Sequence, residues 1–187
     1  MALTQLRAGA FPSGSVIQTV TTTDLTAGTY SSVDSANPET VISTSITPLA
    51  TSSKILITGF LSLGCLYSSY TGRLDYLGVR LKRGTTVIGE PTDLSTLTTV
   101  HGGDATGSRP MHSVVKDAGY SVSRSACVPF HWMDSPSTTS STTYNVQGII
   151  EKVGSAYTMI RNGNGYNYNT DESHMATCNL TLMEIKG

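Results

Sequence analysis

Histidine and acidic side chains are the first groups to consider for catalysis or metal binding, and in this chain they are scattered. The four histidines lie in different segments. His101 lies near Asp104, and such a pair can do acid–base chemistry or hold a metal ion, although a surface histidine beside a turn aspartate is the commoner arrangement. No G-x-S-x-G, H-E-x-x-H or paired-carboxylate pattern is present. The sequence therefore predicts no catalytic residue, no metal site, no cofactor and no enzyme.

The sharpest polar cluster is the stretch NGNGYNYNTDE at residues 162–172. Its asparagine oxygens, followed by Asp171 and Glu172, could wrap a hard cation, because such ions prefer oxygen ligands. The stretch has fewer carboxylates than a calcium loop of the EF-hand type. A cation site is therefore one interpretation, and an ion-free hairpin tip is the other.

Tyrosines in two loops suggest contact with a receptor or a subunit. Tyr166 and Tyr168 share one face of an extended segment. They could stack on a sugar ring, with the neighbouring asparagines as hydrogen-bond partners, or they could pack on a neighbouring subunit. The loop at residues 66–72 allows the same two interpretations. These candidate contacts are Tyr67, Tyr70, Tyr166, Asn167, Tyr168 and Asn169.

Residues 1–14 are predicted to be an attachment arm. The segment is rich in Ala, Gly, Pro and Ser, and Arg7 is its only charged side chain. An exposed apolar arm is a liability unless a partner buries it. Leu3, Leu6 and Phe11 are therefore predicted to dock on another protein or on a sister subunit.

The loops are predicted to be held by β-strands, because no segment has a sustained 3.6-residue period. Short runs rich in β-branched residues alternate with turn clusters, which predicts an all-β, jelly-roll-like β-sandwich as a single domain over residues 15–187. Pro129 indicates an edge strand or a bulge, and residues 90–112 indicate a long loop or weak strands. The predicted strands are residues 15–23, 41–47, 54–64, 76–83, 86–89, 121–133, 142–151, 156–161 and 177–185.

The last strand is unusual because it has apolar residues on both faces. Leu180 and Leu182 share one face with Glu184, whereas Met183 and Ile185 lie on the other. We therefore expect one face to be covered by the core and the other by a further strand layer or a subunit. Glu184 is expected at the rim or with a partner such as a basic side chain, because an unpaired buried carboxylate is costly.

Composition limits the classes of protein. Only 13% of the 187 residues are charged, the formal net charge is −1, and the densest basic run is a strand segment. Nucleic-acid binding is therefore not expected. No apolar run approaches the ~18 residues of a membrane helix, and the N-terminus lacks the apolar core of a signal peptide. The odd, widely spaced Cys65, Cys127 and Cys178 predict core thiols and no disulfide, which is compatible with synthesis in a reducing cytoplasm.

Five ordered blocks resemble a β-rich module of virion-surface proteins of marine tailed bacteriophages. They cover roughly residues 15–187 and are SVIQTVTTT, SITPLATSSKILITG, VRLKRGTTVIG, MDSPSTTSSTTYNVQG and NLTLMEIKG. In such modules an Ile-Thr-Pro strand end precedes a Ser-rich turn and a Lys-Ile-Leu strand. An Arg-Gly turn, an Asp-Ser-Pro turn, a Tyr-x-Val strand and a final Leu-Met-Glu-Ile follow.

The resemblance implies a phage structural protein without catalytic residues, made in the host bacterial cytoplasm and located on the virion surface. Long tail fibres carry a shaft and an anchoring domain before the module, whereas about fourteen residues precede it here. The expected role is therefore a short tail-fibre tip or a capsid decoration protein. It is expected to assemble as a homotrimer and to reach other virion proteins through its arm. The alternative is a carbohydrate-binding adhesin that contacts host surface glycan.

Overall fold

The protein is an all-β sandwich. The computed structural model describes residues 11–33, 37–66, 76–89, 113–116, 123–151, 157–163 and 176–187. These residues form eleven strands and no helix. The strands are β1 (Val16–Asp24), β2 (Gly28–Val33), β3 (Glu39–Ile46), β4 (Lys54–Leu66), β5 (Tyr76–Arg83), β6 (Thr86–Ile88), β7 (Ser113–Lys116), β8 (Ser123–Asp134), β9 (Thr142–Glu151), β10 (Tyr157–Arg161) and β11 (Cys178–Ile185).

The strands form two antiparallel sheets. The first sheet has the order β1-β11-β4-β10-β2, and β8 pairs with the other edge of β4. The first part of β4 pairs with β11 and its last part with β10. The second sheet has the order β3-β9-β5-β6, and β7 also pairs with β5. The predicted strand at residues 54–64 is thus the central strand of the first sheet.

The strand pairings are nested, which makes the sandwich a jelly roll. β1 pairs with β11 and β3 pairs with β9, while β4 pairs with β8 and β5 pairs with β7. The chain thus folds like one long hairpin: β1–β11 and the nested β2–β10 lie in the first sheet, and the pairs from β3–β9 inward alternate between the two sheets, as in double-sheet jelly rolls. The predicted fold class is confirmed.

The core lies between the sheets and is made of the alternating inward residues of both. In β11 every second residue is buried, from Cys178 to Glu184. On the facing sheet Leu81, Tyr144 and Val146 are at most 1% exposed. This two-residue period is what a sheet with one packed face requires.

Two local features follow from the sequence. The predicted strands 76–83 and 86–89 pair as a hairpin that closes through Gly84 and Thr85, and Gly84 has φ of 56°, as a two-residue hairpin turn with glycine in its first central position requires. Pro129 lies in β8, which among the described residues pairs only with β4, and an edge strand is where proline is tolerated. The sequence pattern missed β2 and β7.

Candidate interaction face and buried polar clusters

A buried carboxylate at the end of β8 connects the two sheets. Asp134 is 8% exposed. Its two oxygens accept hydrogen bonds from Nη1 of Arg83, both at 3.0 Å, and Oδ2 also accepts one from the Tyr144 hydroxyl at 2.7 Å. Asp134 belongs to the first sheet, whereas Arg83 and Tyr144 belong to the second. The cluster therefore clamps the sandwich at one end.

The Tyr144 hydroxyl in this clamp stays protonated. Burial, followed by its hydrogen bond to Asp134, raises the pKa of Tyr144 far above its ordinary value. A neutral phenol donating to a carboxylate is a satisfied buried pair, which avoids the cost of an orphan polar group. Arg83, Asp134 and Tyr144 therefore satisfy one another's hydrogen bonds, and their role is to hold the two sheets together.

A second buried carboxylate, Glu184, is held by amides. Glu184 is 0% exposed, and its Oε1 accepts the backbone N–H of Leu49 at 2.7 Å. In the amide orientation that satisfies both groups, Gln18 donates to Glu184 Oε2 and to the carbonyl of Thr47, each at 3.3 Å. Glu184 therefore meets partners, as a buried carboxylate requires, but they are amides and not a basic side chain, and it does not lie at the rim. The turn after β3 supplies the N–H that burial of the carboxylate requires.

A third cluster forms where β10 ends. Nη1 of Arg161 lies 2.7 Å from Oδ2 of Asp24 and donates to the carbonyl of Val41 at 3.2 Å. Its Nε donates to the carbonyl of Thr26 at 3.0 Å. Asn162, fully buried with φ of 58°, donates to the carbonyls of Asp24 and Thr26 at 2.8 and 3.1 Å. These contacts fix the link between β1 and β2 against both sheets.

An open groove lies beside this cluster, between the end of β1 and the start of β3. Its volume is about 510 Å³, and residues 22–26 and 40–43 line it. Five of its nine lining residues are threonine or serine, and Leu25, Val41 and Ile42 add apolar surface. Leu25 is 67% exposed at its side, and the Asp24 carboxylate is occupied by Arg161. The groove can offer hydrogen bonds and apolar contacts to a polar ligand.

The side of the first sheet that faces away from the core carries a row of apolar residues across three strands. Met183 of β11 pairs with Leu56 of β4, and Leu56 pairs with Met133 of β8. Thr19 of β1 pairs with the other edge of Met183. Met133 is 44% exposed, and Leu56 and Met183 are partly exposed. We call this side the outer face. Its described members include Val16, Thr19, Thr21, Thr23, Lys54, Leu56, Thr58, Phe60, Ser62, Cys127, Pro129, His131, Met133, Ile160, Asn179, Thr181, Met183 and Ile185.

A ladder of hydroxyl and amide groups occupies the β1 side of the outer face. Thr21 and Thr181 share a hydrogen bond of 3.0 Å between their hydroxyls. Asn179 donates to the hydroxyl of Thr23 at 3.1 Å and accepts from the hydroxyl of Thr181 at 3.2 Å. The β1 side of the outer face is thus polar without charge, whereas the side formed by β4 and β8 mixes apolar residues with Lys54, Thr58 and His131.

Of the nine side chains predicted to make contacts, only Phe11 lies within the described residues. Its carbonyl oxygen accepts a hydrogen bond from Nζ of Lys186. Gly14 N–H donates to the Lys186 carbonyl at 2.8 Å, and Lys186 N–H donates to the Ser15 carbonyl at 2.9 Å. The end of the predicted arm is therefore bonded to the end of β11. The other eight, Leu3, Leu6, Tyr67, Tyr70, Tyr166, Asn167, Tyr168 and Asn169, lie outside the described residues.

The two described thiols differ in placement. Cys178 is fully buried, as predicted, and burial raises its pKa to about 11. Cys127 is exposed on the outer face of β8, so the prediction of a core position is wrong for this residue. Trp132 lies on the inward side of β8 but is 39% exposed. Within the described ranges, no group of three or more His, Cys, Asp or Glu side chains could hold a metal ion.

Comparisons with known proteins identify no family. No protein-family model matches the chain, and no curated protein matches it. Among solved structures, the chain is similar to the infectious bursal disease virus Gt strain at 12% identity and a TM-score of 0.40, over 92% of this chain and 39% of that one. For the Gx strain the values are 16% and 0.39, over 90% and 40%. The chain thus spans about two fifths of those proteins, and a likeness of this size carries no conclusion about function. In the described part of the chain, no helix could cross a membrane.

Proposed function

We propose that the chain is a structural protein on the surface of a tailed-bacteriophage particle, either a short fibre tip or a capsid decoration, and that it assembles as a symmetric homo-oligomer. The proposal takes the trimeric state and the phage setting from the sequence resemblance. It assigns the arm at residues 1–14 to attachment on another virion protein and assigns no catalytic role.

The observation that carries the proposal is the meeting of the resembling blocks in space. Arg83 of the Arg-Gly turn, Asp134 of the Asp-Ser-Pro turn and Tyr144 of the Tyr-x-Val strand form one buried cluster. Glu184 of the final Leu-Met-Glu-Ile bonds to Leu49, which follows the Ile-Thr-Pro strand end. The blocks therefore contain the residues that hold one jelly roll together. This supports a shared module in preference to five unrelated strand-and-turn matches.

Chemistry also favours a structural role over an enzymatic one. The described carboxylates in buried positions, Asp134 and Glu184, are occupied by Arg83, Tyr144 and backbone or side-chain amides. A catalytic acid or base must be able to reach the proton that it transfers, whereas these groups are enclosed and fully engaged. Jelly rolls serve capsids and lectins alike, so the fold by itself does not choose between them.

Immunoelectron microscopy tests the proposal. Antibodies raised against the purified protein are applied to phage particles whose genome encodes it, with particles lacking the gene as the control. We expect label on the particle surface, and its position separates fibre tip from capsid. If the protein is made during infection but is absent from purified particles, the proposal is wrong.

A second candidate function, glycan binding by a host-recognition adhesin, is favoured by the groove between β1 and β3. Its hydroxyl lining and the exposed Leu25 suit the mixed polar and apolar surface of a sugar. A glycan array with the full chain provides the test. Thr40→Arg, which fills the groove, should abolish any signal, and Thr86→Arg, at an exposed site on β6, should leave it unchanged. An array without signal removes this candidate.

A further inference from the structure

We propose that the outer face of the first sheet packs against a second copy of this chain and forms the subunit interface. The inference deepens the assembly part of the proposed function and rests on it for its biological setting. It commits the interface to one sheet of the sandwich and to named side chains, which the sequence resemblance does not do.

The two sheets differ in what they show to solvent. Antiparallel sheets with one solvated face normally carry polar residues on that face. In the second sheet Ser43, Asn145 and Lys82 lie in one cross-strand row, which ends in the exposed Val87. In the first sheet Met183, Leu56 and Met133 form a row of three apolar side chains. The first sheet therefore shows solvent a longer apolar row than the second.

One end of the outer face is already buried within the chain, and the other end is not. Ser62 of β4 and Ile160 of β10 point to this side and are 6% and 2% exposed. Phe60 and Leu56, farther along β4, remain partly exposed, and Met133 of β8 is 44% exposed. The chain thus covers part of this face itself and leaves an apolar area for an external partner.

Charge and hydrogen-bonding capacity select a second copy as that partner. Among its described residues the outer face has no carboxylate, and its groups able to carry charge are Lys54 at one corner, His131 and Cys127. Two copies can therefore meet without opposing rows of like charge, which would be unfavourable. The threonine hydroxyls of the ladder both donate and accept hydrogen bonds. Such a surface is complementary to itself, as contacts between identical subunits require.

Sedimentation of the purified full chain tests the interface, with circular dichroism as the check on folding. Wild type is expected to be an oligomer. Met133→Glu and Thr21→Glu place a carboxylate at exposed sites on opposite sides of the outer face. Each should weaken self-association about tenfold or more, because it introduces an unpaired charge into the contact. The matched control is Val87→Glu, because Val87 is 42% exposed, close to the 44% of Met133, and lies across from Lys82 on the second sheet.

Each outcome decides the question. A folded monomer for either outer-face variant, with an oligomeric Val87→Glu, supports the interface. A monomeric wild type, or oligomers unaffected by both outer-face variants, overturns it. If Met133→Glu does not fold, Thr21→Glu on the edge strand β1 decides. The sedimentation result is independent of whether the protein is found on particles, so the interface and the proposed function can fail separately.

Discussion

At the scale of single residues, the jelly roll depends on buried carboxylates whose oxygens accept hydrogen bonds from neighbouring groups. Asp134 is the clearest case, since it accepts hydrogen bonds from Arg83 and from Tyr144 across the two sheets. A buried charge with good partners is close to neutral in free energy, but removing one partner leaves the rest uncompensated. Asp134 is therefore a sensitive position even though it touches no ligand.

We expect Asp134→Ala to destabilise the fold more than Tyr144→Phe does. Breaking a buried ion pair costs roughly 3–5 kcal/mol, and the Arg83 side chain is 33% exposed, so the lower end is expected here. Tyr144→Phe removes one hydrogen bond to a charged group, which costs about 1.5–3 kcal/mol. Urea unfolding of both variants gives the order. Ser45→Ala, which removes an exposed hydroxyl pair with Thr143, is the control; equal stability of all three would contradict the clamp.

The buried Cys178 thiol and Tyr144 hydroxyl lead us to expect a loss of stability at alkaline pH. Burial raises the pKa of Cys178 from 9.0 to about 11, and it raises that of Tyr144 as well. Above pH 9.0 the unfolded chain therefore releases protons that the folded chain keeps. Since the unfolded state then binds fewer protons, the free energy of unfolding falls as pH rises from 9.0 towards 11 and is unaffected by these groups below that window.

Thermal melts between neutral pH and pH 11 check this prediction. Cys178→Ala should flatten the alkaline decline, although its stability at neutral pH is lower. Cys127→Ala is the matched control, because that thiol is exposed to solvent. A decline that is as steep in Cys178→Ala as in wild type would show that this thiol does not contribute.

At the scale of elements, β11 is the strand on which the first sheet depends. It pairs with β1 on one side and β4 on the other, so its backbone groups are satisfied along both edges. Its inward residues reach 0% exposure, whereas the residues on its other face are partly exposed. The expectation that one face meets the core is confirmed, and cover for the second face stays a prediction.

Leu182→Ala is expected to cost about 2–5 kcal/mol, because it removes a fully buried side chain and leaves a cavity. Met183→Ala, one residue later on the outer face, is the matched control and should cost clearly less. Chemical denaturation gives both values, and amide exchange should be slow at Leu182 and Met183, since both lie in a strand paired on two sides. Fast exchange at these amides would show that the end of the chain is loosely held.

Strands with a clear pattern could be predicted, whereas those without one could not. β4 is a long apolar run, and β11 alternates, so local composition suffices for both. β2, with the sequence GTYSSV, contains glycine and serines and is largely exposed. Among the described residues β2 pairs only with β10, and the four-residue β7 pairs only with β5. Such strands exist because a neighbour offers a free edge, which no local pattern reveals.

The polar clusters were beyond prediction for a similar reason. Glu184 and Leu49 are 135 residues apart in the chain, and the hydrogen bond between them follows from the register of β11 against β1 and β4. A carboxylate beside a turn N–H leaves no spacing signature. The sequence could say only that a buried glutamate needs a partner, and it favoured a basic side chain where the fold supplies amides.

At the scale of the whole molecule, the nested pairings bring both ends of the sandwich together. β1 pairs with β11, so the segment before β1 emerges beside the end of the last strand. Gly14 and Ser15 are tied to Lys186 there by backbone hydrogen bonds, and the Lys186 side chain bonds to the Phe11 carbonyl. An arm that starts at this point is anchored by the sandwich, which suits a segment predicted to reach a partner.

Two deletions separate anchoring from attachment. Removing residues 1–10 keeps the bonds to Lys186 and should shift the Tm by no more than a few degrees. Removing residues 1–15 loses the Gly14 and Ser15 backbone bonds, each worth roughly 1 kcal/mol. For a chain of this size about 1 kcal/mol corresponds to roughly 2–4 °C, so a clear fall in Tm is expected. Both deletions should abolish incorporation into particles if the arm makes the attachment. If removing residues 1–10 unfolds the protein, the arm belongs to the core. If the protein without residues 1–10 is incorporated normally, another surface makes the attachment.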